Sequence, residues 1–97
     1  MSIYFSKSAI SDLEGIKAFY LEQGVPNIGL DFVAKIIEHI ETLSAHPEIG
    51  RVVPEFDDKL IRELIHSPFR IVYIQESKTI QIIRIWRSER LLKLAYN

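Results

Sequence analysis

Apolar residues recur at helical spacing through the first half of the chain and at strand spacing through the second, with the change near Gly50. Ile3-Tyr4-Phe5 is an apolar run long enough for one strand and too short for a helix. Ala9, Leu13, Ile16 and Tyr20 then form one helical stripe. Ser8 or Ser11 stands where a cap is needed, and Ser11-Asp12-Leu13-Glu14 has the capping-box spacing. Gly24 follows the last turn and suits a left-handed cap. Pro26 fits the first position of a second helix, whose stripe is Leu30, Val33, Ile37 and Ile40, with Ile36 and Leu43 beside it. His46-Pro47 closes that helix, because the residue before a proline is pushed out of the α region.

Beyond Gly50 the runs Ile61–Ile65, Phe69–Gln75 and Thr79–Arg87 are rich in Ile, Val, Phe and Tyr and predict three strands. Ser67-Pro68 separates the first from the second, and Glu76-Ser77-Lys78 turns the second into the third. Connections this short make neighbouring strands antiparallel. The expected fold is therefore α+β. An N-terminal strand leads into an antiparallel two-helix hairpin, and a three-stranded antiparallel meander completes one small sheet with the helices on one face. Residues 88–97 are expected to form a last helical turn or a tail.

Composition bounds this picture. Ninety-seven residues, 47% apolar and 26% charged, allow one domain, residues 1–97. With no cysteine, disulfides, zinc ribbons and thiolate nucleophiles are excluded. No apolar run approaches the roughly 18 residues of a membrane span, and the first residues lack the order of a signal peptide, so a cytoplasmic location without membrane contact is expected. The net charge of −1 argues against a polycation that coats nucleic acid. It hides an asymmetry: residues 1–50 carry seven acids against three bases, and residues 51–97 six acids against nine bases. An acidic helical half thus precedes a basic sheet half, and a cationic sheet face becomes an expectation.

Strict alternation sets Arg70 with Val72 and Ile74, Arg84 with Ile80, Ile82 and Trp86, and Arg87 with Ile83 and Ile85. An arginine in an apolar strand must reach solvent or a carboxylate. Two readings stay open. In one, Arg62, Arg70, Arg87 and Arg90 line a sheet face that holds phosphates or acidic side chains; in the other they form ion pairs with Glu55, Glu63 and Glu89. His39 and His46 are seven apart and make no helical ligand pair, so no metal is expected. His66, beside Ser67-Pro68, is either a general acid or base or a surface turn residue. The glycines at 15, 24, 29 and 50 form no phosphate-cradling loop, and no cofactor is expected. These residues leave two function classes open: a small RNA-cleaving or RNA-binding domain, and a protein-binding module.

The stretches Gly50-Arg51-Val52-Val53-Pro54-Glu55-Phe56, Ile61-Arg62-Glu63-Leu64, Pro68-Phe69-Arg70-Ile71-Val72-Tyr73 and Ile83-Arg84-Ile85-Trp86-Arg87 resemble the RelE/ParE superfamily of bacterial type II toxins. Ser8 to Ile16 resembles that family's first helix, and the likeness runs over essentially the whole chain. It implies a toxin neutralised by a cognate antitoxin, whose C-terminal segment wraps it in a hetero-oligomer. Superfamily members act in two ways. RelE-like toxins cut messenger RNA on the ribosome without a metal, and ParE-like toxins poison DNA gyrase. By position, Arg70 matches the arginine that nuclease members set on the phosphate, and Arg62 falls near another basic position. Arg87 stands where many relatives have histidine, and arginine cannot exchange protons near neutrality. Tyr96 is the remaining candidate for that role. The resemblance thus implies catalytic Arg62, Arg70, Arg87 and Tyr96 if the chain is a nuclease. It implies Arg62, Arg70, Arg84, Arg87 and Arg90 as antitoxin- or target-binding residues in either case. The departure at Arg87 and the lack of overall basicity favour the ParE-like branch, with a binding module devoid of toxicity as a further alternative.

Overall fold

The computed structural model describes residues 1–88. The elements run β1 (Ser2–Phe5), α1 (Lys7–Glu22), α2 (Pro26–Glu41), a 3-10 turn at Thr42–Ser44, then β2 (Arg51–Val52), β3 (Ile61–His66), β4 (Phe69–Gln75) and β5 (Thr79–Arg87). Helix α1 starts earlier than the capping-box spacing suggests. Ser6, not Ser8 or Ser11, is the cap: its Oγ accepts from the Ala9 N–H at 3.0 Å and donates to the Ile83 carbonyl on β5 at 2.9 Å. One side chain thus ends the strand, starts the helix and docks both on the sheet. Gly24 adopts φ 78° after α1, the left-handed conformation that the turn into Pro26 needs.

The strands form one sheet in the order β1-β5-β4-β3-β2. The meander β3-β4-β5 is antiparallel as expected, while β1 lies parallel beside β5. The two-residue β2 was not legible from its sequence. It extends the sheet by pairing Arg51 with Glu63 and Val52 with Arg62. Pairing between β4 and β5 is interrupted once: Val72 faces Arg84 and Tyr73 faces Ile82, so Ile83 is an extra residue. This β-bulge reverses the side assignment of everything after it on β5.

The core lies between the helices and one sheet face. Ala9, Leu13 and Ile16 from α1 and Ile36 and Ile40 from α2 meet Leu64, Phe69, Ile71, Tyr73, Ile80, Ile82 and Ile85. Phe32 links the layers, stacking on Tyr20 and meeting Phe69 edge-on. Leu30, expected on the buried stripe of α2, stays 54% exposed; the buried line runs instead through Gly29, Ile36 and Ile40. Among the described residues no helix is long and apolar enough to cross a membrane.

Candidate functional site

Register fixes which arginines share a face. On the side away from the helices, Arg51, Glu63, Val72 and Arg84 form one row, and Ile65, Arg70 and Trp86 form the next. Arg70 and Glu63 are the two charged residues buried there, 5% and 1% exposed. The Arg70 Nε donates to Glu63, while its two terminal nitrogens donate to the two Glu55 oxygens at 2.7 and 2.9 Å. The Arg51 Nε donates to the other Glu63 oxygen at 2.6 Å. Two guanidinium groups and two carboxylates thus form a charge-balanced chain in the order Arg51, Glu63, Arg70, Glu55, and no buried polar side-chain atom among the described residues lacks a partner. The bidentate Arg70 bond holds Glu55 below the usual carboxylate range, and the same bond raises Arg70 further above its own. For Arg70, the geometry shows the ion pairing with Glu55 and Glu63 that one of the two readings expected. The positive charge of this face is met by its own carboxylates.

The other arginines are not gathered around Arg70. Arg62 lies on the helix side, beside Tyr73, and donates to the Gly50 carbonyl at 2.9 Å. It shares Gly50 with Tyr73, whose hydroxyl accepts from the Gly50 N–H and donates to the Pro47 carbonyl. Arg87, displaced by the bulge, also faces the helices, with its guanidinium 5.4 Å from the Phe69 ring centre and 5.7 Å from that of Phe19. Arg84 moves the opposite way, onto the row of Val72 and Glu63. It reaches across the sheet edge to Asp12 on α1, with bonds of 2.9 and 3.0 Å, and this bond raises its pKa. Asp12 also accepts the Ile85 N–H at 2.8 Å. Arg84 and Arg87 meet again at the walls of a cleft of about 390 Å³ between α1 and the end of β5, lined also by Asp12, Phe19, Tyr20 and Trp86. Arg90 and Tyr96 lie outside the described residues, as do Glu89 and the expected tail.

His66 is turned away from Arg70: it faces the helices, where its Nδ1 stands 3.0 Å from that of His39 on α2. It cannot serve as acid or base to a phosphate held at Arg70, because the sheet lies between them. Sequence reasoning missed Asp12 as the partner of Arg84 and His39 as the partner of His66. Both pairs join residues distant in the chain, and only the fold brings them together. Arg51 stands on the edge strand β2 directly opposite Glu63, whose burial requires a cation. Among the described residues no group of three or more His, Asp or Glu is placed to hold a metal ion.

A family model for the ParE toxin of type II toxin–antitoxin systems, parDE, matches residues 3–92. The chain belongs to this family. The similar solved structures agree with it. A chromosomal ParDE toxin–antitoxin system from P. aeruginosa is 29% identical, with a TM-score of 0.76 over 90% of this chain and 95% of that one. The toxin–antitoxin complex RelBE2 of Mycobacterium tuberculosis is 19% identical, with a TM-score of 0.65 over 89% and 95% of the two chains. A YoeB/ParE toxin from Agrobacterium tumefaciens is 18% identical, with a TM-score of 0.61 over 90% and 98%. At these lower identities the last two speak for the fold alone. No curated protein matches the sequence. The ParE family and the α+β fold of RelE/ParE toxins are therefore established for this chain, in agreement with the resemblance read from its motifs.

Proposed function

We propose that this ParE-family toxin acts on DNA gyrase and not as a ribosome-dependent nuclease, and that a cognate antitoxin neutralises it. One observation carries the choice. Each of the three guanidinium nitrogens of Arg70, the residue matched to a phosphate-binding arginine, already donates to Glu55 or Glu63. A phosphate approaching Arg70 would meet two carboxylates, and would have to displace Glu55 from a bidentate bond. Arg62 and Arg87 point to the opposite side of the sheet, so the described residues assemble no group of cations around a scissile phosphate. The family match and the likeness to a ParDE toxin support the same branch.

For the antitoxin, the chemistry of the surface favours an apolar segment with acidic flanks. Ile10, Leu21, Val25, Ile28 and Leu30 are exposed on the helical hairpin, and the cleft beside α1 carries Arg84 and Arg87 on aromatic walls. Within that reading Arg84 and Arg87 are the contact residues, and Arg70, being buried, is a support. Arg87→Glu is expected to weaken antitoxin affinity measured by calorimetric titration. Unchanged affinity removes Arg87 from the interface.

The target is tested by a paired assay on the purified toxin. Inhibition of gyrase supercoiling without cleavage of a translated message is the expected result. Ribosome-dependent cleavage without gyrase inhibition overturns the proposal in favour of an RelE-like nuclease. Neither effect, with harmless induced expression in a bacterial host, returns the chain to a binding module.

A further inference from the structure

His39 and His66 form a contact that the toxin reading leaves unused. His39 sits in the last turns of α2 and His66 at the end of β3, both half-buried, with Nδ1 atoms 3.0 Å apart. The ring centres are 5.2 Å apart, close to the largest value that such an N···N distance permits, so the two nitrogens point at one another. Two imidazoles can meet in this way only with one proton between them: one ring donates from Nδ1 and the other, protonated at Nε2 when neutral, accepts. A first added proton leaves the bridge in place and makes it charge-assisted. A second sets two N–H groups against each other, and the contact must open.

We propose that His39 and His66 are a one-proton clip that fastens the end of α2 to the end of β3 and opens when both rings are charged. The surroundings of His66 oppose its charging. Lys35, one turn before His39 on α2, is itself paired with Asp31 at 3.1 Å. On β4, the neighbour of His66 is the apolar Phe69, and on β5 Arg87 stands beyond it. Arg62, on the same side of β3, is engaged with the Gly50 carbonyl. Burial, His39 and Lys35 together hold the His66 pKa below the usual imidazole value. The sign follows. A histidine whose folded pKa is lowered contributes nothing adverse above its unfolded value of 6.5 and costs stability as pH falls below it, where the unfolded chain takes up a proton more readily.

The test is nitrogen-resolved NMR of the full chain, from about pH 8 down to about pH 5, the range in which imidazole charges. At the upper end one ring is expected as the Nδ1–H tautomer and the other as Nε2–H. On acidification the pair should titrate in two steps, and amide exchange in residues 36–41 should accelerate with the second. His39→Gln should raise the midpoint of His66, since it removes one of the groups that lower it. Two Nε2–H rings titrating independently at pH values unmoved by the substitution would overturn the clip. So would α2 exchange that ignores the second step.

Discussion

Replacing Arg70 by methionine removes the cation at the centre of the buried ionic chain while roughly keeping its volume. Glu63, whose side chain has no solvent exposure, would then keep one bond, from Arg51, which is itself 61% exposed. Glu55 is 46% exposed and would turn to water at little cost. Removing one partner from a buried ion pair costs about 3–5 kcal/mol, because the remaining charge is stranded in a medium that cannot solvate it. A domain of this size is held by about 5–15 kcal/mol in total, so Arg70→Met should leave a marginal protein. Glu63→Leu should cost less, since Arg70 would retain its bidentate bond to Glu55. Glu55→Gln should cost below about 1 kcal/mol, the scale of an exposed, screened pair. The informative variant is the double replacement Arg70→Met with Glu63→Leu. It removes both ions and both desolvation penalties, and should recover most of the loss. Urea unfolding at neutral pH, followed through the fluorescence of Trp86, the only tryptophan and the cross-strand neighbour of Arg70, measures all four. An Arg70→Met protein within about 1 kcal/mol of the parent, or a double variant no better than the single, would refute the reasoning.

Three further outcomes follow from the same contacts. Because its Arg70 bond lowers the Glu55 pKa, that pair stabilises the fold above the unfolded value of 4.5 and is lost as pH falls below it; in Glu55→Gln this part of the acid sensitivity should vanish from a pH series of unfolding curves. Gly50→Ala would bring a Cβ within 2.7 Å of the Glu63 carbonyl oxygen and closer still to the Tyr73 hydroxyl, so thermal unfolding should show a loss of about 1–3 kcal/mol. Asp12→Ala leaves the Ile85 N–H and Arg84 without their acceptor and should cost about 1–3 kcal/mol by urea unfolding, with faster exchange of the Ile85 amide.

Element boundaries were legible wherever a local rule governs them. Gly24 and Pro26 mark the helical turn, and the meander strands fall at the expected runs because β-branched and aromatic residues cluster there. What local rules do not contain was missed. Ser6 caps α1 because β5 lies within reach of its hydroxyl, which no spacing within the helix reveals. The strand Arg51–Val52 is too short to carry a period and exists by pairing with β3. Of the candidate site, the partners of the arginines were visible only as a choice between ligand and ion pair, and for Arg70 the three-dimensional contact to Glu55 and Glu63 shows the ion pair.

The division of the arginines traces to one residue, Ile83. Without the bulge, alternation along β5 would put Arg84 on the buried side with Ile80 and Ile82, where no carboxylate of the core could meet it, and would turn Ile85 out of the core. With Ile83 as an extra residue, Ile80, Ile82 and Ile85 all reach the core, and Arg84 is carried to the outer row, within reach of Asp12 across the edge. The same shift takes Arg87 away from Arg70 and sets it over Phe69 and Phe19. The doubled Ile82-Ile83 in an otherwise alternating strand is the sequence trace of this bulge. Hydrophobic burial thus selects the bulge, and the bulge decides which cations share a face. The packing of three isoleucines thus sets Arg70 and Arg87 on opposite faces of this sheet.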